Sequence, residues 1–218
     1  MAKKSDLAQS IQEDFFMILL VDAIASIERY RAANPDEQIE RRQLLRTLFS
    51  ALEGFTWVYR EHIRESASLI GALSAEETIA LAEKSYQVTE QGKLASQPRY
   101  ISMVATIRLI SRIASRLSPE LQLSFETADW SEFRKVVEVR NRLTHPKRKS
   151  DLNITDSDVK QCLAAFFWLL ENTMQAMEAT NVALKSFVQE FREILKSLQE
   201  GDPDTLEAYR RALAFVSN

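Results

Sequence analysis

The chain has 218 residues, a net charge of −3 and only four glycines and five prolines. This length can bury a substantial core without disulfides, and the scarcity of glycine and proline favours helices. The negative charge excludes an overall attraction to nucleic acid, so such binding must depend on a local basic patch. The single cysteine, Cys162, excludes an intrachain disulfide and fits a reducing, cytoplasmic location.

Helical spacing of apolar residues predicts a first helix over 6–33. Its apolar run, 15–21, is too short for a membrane span and ends at Asp22, so we expect neither a signal peptide nor membrane association. We expect Asp22 to form an ion pair at the core edge, with orientation of a catalytic group as the alternative. The predicted buried face contains Leu7, Ile11, Phe15, Ile18, Asp22 and Ala25.

A second helix is predicted up to Leu69, with Asn34 as N-cap, Pro35 at the first position and Glu37 closing a capping box. Together the two helices predict an antiparallel hairpin. The apolar positions of this second helix include Trp57, and Gly54 marks a close-packing point. His62 has no neighbour at metal-ligand spacing, which favours a surface or hydrogen-bonded histidine over a functional one.

Ser74 and Glu77 predict the capping box of a third helix, which fades around 86–90. Residues 92–98 are interpreted as a linker, and 98–117 as the next helix. We find no convincing strand alternation and no cluster of Cys or His residues.

The following helix is predicted to begin with Asp129 as N-cap and Glu132 closing its capping box. Its apolar stripe has i, i+3, i+4 spacing and contains Phe133, Val136 and Val137. The next position on this stripe is Arg140. Because burial of a guanidinium is costly without a partner, the placement predicts either a partner acid or a cleft.

Asn141 and His145 are four residues apart and therefore share a helical face. Pro146 disfavours the helical conformation at His145, so the helix is expected to end there. The negative end of the helix dipole favours the protonated imidazole. Arg140, Asn141 and His145 thus combine a phosphate-binding cation with a titratable acid or base.

After the basic loop 147–149, Thr155 and Asp158 predict a capping box that begins a very long helix. Cys162 lies on its apolar stripe, which favours a core residue over a nucleophile. A break is expected near 180–181. Gly201 is predicted to end this pattern, and Asp202-Pro203 to begin a final helix.

The sequence therefore predicts an all-α fold, a bundle of about six to eight helices with a long C-terminal helical arm. We expect a single domain over 1–218, with a core over about 98–180 and a helical extension over 181–218.

Arg140-Asn141 followed by His145 and Pro146, the basic loop and an aromatic-rich helix resembles the R-x4-6-H motif of the HEPN superfamily (higher eukaryotes and prokaryotes nucleotide-binding domain). The resemblance covers roughly 98–180. It implies a ribonuclease of the toxin or antiviral-defence type that leaves 2′,3′-cyclic phosphate and 5′-hydroxyl ends. It also implies a homodimer in which the two motif helices face each other, and it leaves room for a regulatory partner such as an antitoxin.

These residues suit transesterification of RNA without a metal or other cofactor. His145 would transfer a proton, Arg140 would hold the scissile phosphate, and Asn141 would orient the imidazole or bind the ribose or phosphate. Glu138, four residues before Arg142, makes a helical salt bridge the alternative role of that arginine. The residues expected to bind the RNA backbone are Arg142, Lys147, Arg148 and Lys149.

A competing hypothesis is a helical interaction module or dimeric scaffold in which the same motif is structural. Arg140 would then pair with a buried acid such as Asp22, His145 would cap the helix end, and the long helix would bind a partner helix. A third hypothesis is a HEPN-like module that binds nucleotides or RNA without turnover.

Overall fold

The computed structural model describes the backbone of residues 2–34, 36–121 and 123–216, and the side chains of 14–34, 36–121 and 123–214. The predictions for Leu7, Ile11 and Pro35 lie outside the described residues. The described chain forms seven α-helices and one two-stranded sheet, so the all-α prediction is confirmed. The helices are α1 Ala2–Ala32, α2 Gln38–Leu69, α3 Ala75–Leu81, α4 Met103–Leu117, α5 Ala128–Thr144, α6 Asp156–Glu200 and α7 Pro203–Val216.

Helix α2 is the centre of the bundle and packs against α1, α4, α5 and α6. Near the middle of α2, Phe55 belongs to a cluster with Phe133 of α5 and Phe166 of α6. Its second half contributes Ile63 to a smaller cluster with Ile110 of α4. Since all these side chains are excluded from water, each contributes roughly 2–3 kcal/mol of burial free energy.

The predicted linker 92–98 contains strand β2 Leu94–Pro98, and the predicted last part of the third helix is instead strand β1 Lys84–Val88, since α3 ends at Leu81. The two strands pair as an antiparallel hairpin. Gly92, with φ +73°, permits the turn, which closes with a hydrogen bond of 2.8 Å from the Thr89 amide to the Lys93 carbonyl. Nearly all side chains of both strands are exposed. A strand without a buried face has no apolar alternation, so the sequence pattern failed to indicate it.

Three predicted helix starts are corrected by the structure. The Asn34 carboxamide accepts a hydrogen bond from the Asp36 amide in a turn, and α2 begins only at Gln38. Ser102, rather than the region of Pro98, caps α4. Thr127, rather than Asp129, caps α5 by accepting from the Trp130 amide. For α4 and α5 the cap is a nearby hydroxyl residue, whereas Glu37 at the N-cap position of α2 makes no side-chain capping hydrogen bond.

The predicted buried face of α1 is also wrong where the structure describes it. Ala23 and Ile27 are buried against α2, whereas Ile18 and Asp22 are exposed. Asp22 forms no ion pair with the described residues. Because α1 carries apolar side chains on most of its circumference, its sequence periodicity could not select the packed face.

Helix α6 is continuous through residues 180–181, so the predicted break is wrong. Its 45 residues span about 68 Å, and every residue from 185 to 196 is exposed. Gly201, with φ +76°, ends the helix as predicted. The C-terminal arm, defined as residues 181–216, therefore extends beyond the bundle. Among the described residues, no helix is both long and apolar enough to cross a membrane.

Candidate functional site

Helix α5 presents the motif residues at its C-terminal end. Its buried face, which includes Phe133, Val136 and Leu143, fixes the rotation of the helix in the bundle. The His145 amide still donates to the Asn141 carbonyl at 3.0 Å, but the backbone of His145 has left the helical region, with φ −125° and ψ 61°. The helix therefore ends before Pro146, as predicted.

Arg140 lies at the edge of the apolar stripe and forms an ion pair with Glu53 of α2. Its Nε donates to Glu53 Oε1 at 2.7 Å, and Nη2 donates to the same oxygen. Its Nη1 donates to Asn141 Oδ1 at 3.1 Å. Asn141 thus holds the guanidinium plane, whereas the sequence predicted a contact with the imidazole, ribose or phosphate.

The Arg140–Glu53 pair is accessible to solvent, with side chains 29% and 47% exposed. Such pairs stabilise a fold by only about 0–1 kcal/mol, because water screens the attraction and solvates the separated ions. The sequence left a partner acid and a cleft as alternative explanations for the position of Arg140, and the structure contains both. The acid is Glu53 rather than Asp22, and no local sequence signal could link residues 87 positions apart.

The cleft is a groove of about 580 Å³ between α2, α4, α5 and the segment that precedes α4. Glu53, Trp57 and Arg60 line it from α2, and Arg140 and Asn141 line it from α5. The α2 residues have i, i+4, i+7 spacing, which places them on one face. This volume lies within the range of about 300–1,000 Å³ that is typical of small-ligand sites.

The groove has an aromatic wall that the sequence reasoning missed. Trp57 was predicted as an apolar position of the second helix, but its side chain is 41% exposed. Phe15 packs against the Trp57 ring in an edge-to-face arrangement, with centroids 5.6 Å apart. Tyr100, just before α4, is 94% exposed and also lines the groove.

A second arginine–glutamate pair lines the groove and is more firmly held. Arg60 Nη1 lies 2.7 Å from Glu83 Oε2, and the Arg60 side chain is only 12% exposed. Glu83 has φ +50°, in the left-handed region, and its carbonyl accepts from the Arg99 amide at 2.7 Å. A non-glycine residue in this region costs of order 1–3 kcal/mol, and such strain is often found at functional sites.

His145 does not line this groove. Its side chain is exposed and forms no hydrogen bond with the described residues. At 3.6 residues per turn it lies about 140° around the helix from Arg140 but only about 40° from Asn141. Within one chain the structure therefore brings Arg140 and Asn141 together and leaves the imidazole on a neighbouring face.

Arg142, a predicted RNA-binding residue, fastens the end of α5 to the start of α6. Its Nη2 donates to Asp158 Oδ1 at 2.8 Å and its Nη1 to the Asn153 carbonyl at 3.2 Å. The alternative salt bridge with Glu138 is not formed among the described ion pairs. Burial tends to raise the pKa of Asp158, but hydrogen bonds from Thr155 and Arg142 outweigh it and lower this pKa.

The other predicted RNA-binding residues form an exposed basic loop directly after His145, defined as Lys147, Arg148 and Lys149. The amides of Lys147 and Arg148 donate to Asp151 Oδ2 at 2.8 and 2.9 Å. These hydrogen bonds lower the pKa of Asp151 and order the backbone of the loop. The three cationic side chains remain in solvent.

Two titratable residues lie inside the bundle, away from the groove. Cys162 is buried as predicted, and burial raises the pKa of its thiol. His62 Nε2 lies 2.8 Å from Thr180 Oγ1, and burial lowers the pKa of this imidazole to about 4. The described residues contain no group of three or more His, Cys, Asp or Glu side chains placed to hold a metal ion.

Comparisons of the chain with models of protein families, with curated proteins and with solved structures find no match.

Proposed function

We propose that this protein is a metal-independent endoribonuclease of the HEPN type, which acts in the cytoplasm as a toxin or in antiviral defence. The main support is that α5 exposes both parts of its motif. Arg140 and Asn141 open into the groove, and the His145 imidazole is free beside the basic loop.

Each motif residue has a role in the proposed reaction. The ribose 2′-oxygen attacks the phosphorus while the bond to the 5′-oxygen breaks, which leaves a 2′,3′-cyclic phosphate and a 5′-hydroxyl. His145 removes the 2′ proton or donates one to the leaving oxygen, because an imidazole nitrogen can accept or donate a proton, and solvent water exchanges the other proton. Arg140 stabilises the charge on the phosphate, and Asn141 positions the guanidinium.

The angular separation of Arg140 and His145 supports a dimeric enzyme. Because Arg140 lines the groove and His145 does not, a single copy does not direct both side chains at one phosphate. A two-fold dimer in which the two α5 helices face each other would bring Arg140 of one copy to His145 of the other.

The test is cleavage of mixed-sequence RNA by purified protein in excess EDTA. His145→Ala and Arg140→Ala should each reduce the rate at least about 100-fold, the effect expected for loss of a proton-transfer group or of charge stabilisation. Arg134→Ala is the matched control, since Arg134 is exposed on α5 and does not line the groove. Its cleavage rate should equal that of the wild type.

Mixing the two inactive variants tests the shared site. A heterodimer of His145→Ala and Arg140→Ala contains one complete Arg140–His145 pair, so the mixture should recover part of the activity. No recovery in a mixture whose subunits exchange would contradict the shared site. No cleavage by the wild type at high concentration would contradict the enzyme proposal, unless a protein activator restores it.

The C-terminal arm supports a second candidate, a non-catalytic dimeric scaffold. On α6 its apolar positions have alternating spacings of three and four, and most are exposed, which is the pattern of a coiled-coil seam: Leu184, Phe187, Phe191, Ile194 and Leu198. Sedimentation analysis of Phe191→Glu tests it, because a charge in the seam should separate the copies. A dimer that depends on Phe191, with no ribonuclease activity, would favour the scaffold.

A further inference from the structure

The groove has one wall of exposed aromatic side chains. Trp57 and Tyr100 both line it, on α2 and just before α4. Exposed apolar surface within a groove is typical of a ligand site, and Phe15 packs edge-to-face against the Trp57 ring. Flat rings at the surface of an open groove are suitable platforms for stacking of unpaired bases.

The α5 side of the groove has an anion site that is occupied by a replaceable group. Glu53 receives two donors from Arg140 on a single carboxylate oxygen, while Asn141 holds the third nitrogen. A phosphate accepts the same fork of donors, and both members of the Arg140–Glu53 pair face solvent. An RNA phosphate can therefore displace the Glu53 carboxylate without opening the core.

Three other polar side chains of the groove already have partners inside the protein. The Thr56 hydroxyl donates to the Leu52 carbonyl at 2.8 Å, and the Ser102 hydroxyl caps α4. Arg60 is held by Glu83 in the second ion pair. The groups aimed at a ligand are therefore mainly the aromatic rings and the Arg140 guanidinium, which favour stacking and charge over contacts with base edges.

We propose that this groove binds one unpaired nucleotide of single-stranded RNA, with its phosphate on Arg140 and its base against Trp57 and Tyr100. The choice of RNA as the nucleic acid rests on the proposed function. The nucleotide site itself is inferred from the cation and the aromatic rings of the groove. A paired base is stacked within its duplex and cannot reach the two rings. The protein accordingly selects unpaired strands and has little sequence preference at this position.

The experiment uses an RNA that binds but cannot be cleaved. A fluorescently labelled 2′-O-methyl oligoribonucleotide of mixed sequence has no free 2′-hydroxyl, so its affinity is measured by anisotropy independently of turnover. It is compared with the same strand annealed to its complement. The wild type should bind the single strand at least about tenfold more tightly than the duplex.

Two variants in the groove and one control outside it test whether the RNA binds there. Trp57→Leu and Tyr100→Ala should each weaken single-strand binding roughly five- to tenfold and leave duplex binding unchanged. Tyr86→Ala is the matched control, because Tyr86 is an exposed tyrosine on β1 that does not line the groove. It should bind both forms like the wild type, and circular dichroism confirms that each variant is folded.

The outcomes separate this inference from the proposed function. Groove-dependent single-strand binding without cleavage of ordinary RNA would retain the nucleotide site and reject the enzyme. Cleavage that is unaffected by Trp57→Leu and Tyr100→Ala, with unchanged binding, would retain the enzyme and overturn the site. Equal affinity of the wild type for single strand and duplex would also overturn it.

Discussion

Replacement of Glu53 by glutamine tests whether this carboxylate occupies the position of an RNA phosphate on Arg140 or supports the fold. The change keeps the shape of the side chain and removes the charge that occupies Arg140 Nε and Nη2. Since the pair is solvent-exposed, its contribution is about 0–1 kcal/mol. A free Arg140 should therefore bind an RNA phosphate up to about fivefold more tightly, which is 1 kcal/mol expressed as an affinity ratio.

The contribution of about 0–1 kcal/mol also limits how much Glu53→Gln can lower the free energy of unfolding. A loss of up to 1 kcal/mol lowers the Tm of a chain of this size by no more than about 4 °C. The measurements are anisotropy titration with the uncleavable single strand and a thermal melt followed by circular dichroism. Glu138→Gln is the control, because it removes a negative charge from an exposed position on α5 that does not line the groove. Its affinity should change less than that of Glu53→Gln.

Two results would refute this reasoning. Weaker RNA binding by Glu53→Gln would show that the carboxylate holds Arg140 in the orientation that the ligand needs. A fall in Tm of 10 °C or more, several times the limit of about 4 °C, would show that Glu53 is a structural anchor between α2 and α5.

Further predictions concern residues inside the bundle. Burial lowers the pKa of His62 to about 4 from an ordinary 6.5. Between these two pH values the unfolded chain binds more protons than the folded chain. The free energy of unfolding should therefore fall as the pH drops through this range. The loss is about 2 kcal/mol at pH 5, measured by urea titration, and His62→Asn should remove most of it. Gly54→Ala should be nearly neutral in urea unfolding, because an added Cβ would lie 2.1 Å from the terminal Leu19 Cδ1, which can rotate away, and alanine favours the helix. Gly54→Val should cost about 1–3 kcal/mol, and an equal effect of the two changes would contradict this packing argument. The Cys162 thiol should resist alkylation by iodoacetamide in the native protein and react in urea, because burial raises its pKa and excludes the reagent; rapid native labelling would indicate local opening of α6.

The sequence by itself determined the features that depend on residues a few positions apart. The capping boxes of Ser74 with Glu77 and of Thr155 with Asp158 were predicted and are present. The α5 end before Pro146 and the α6 end at Gly201 were predicted for the same reason. In these cases the backbone preference and the hydrogen-bond partner lie within one helical turn. The same local rule chose the wrong caps for α2 and α5, where Asn34 and Asp129 do not cap the helix.

Only the tertiary structure decided the partner of Arg140, the exposure of Trp57, the packed face of α1 and the β-hairpin. The α5 periodicity showed that an arginine occupies the edge of an apolar stripe, but the choice of Glu53 depends on how α2 and α5 pack across 87 positions. The divergence of Arg140 and His145 follows from helix geometry, whereas the groove beside Arg140 exists only because α2, α4 and α5 meet there. Contacts between distant segments depend on packing of the whole chain, and no local pattern encodes them.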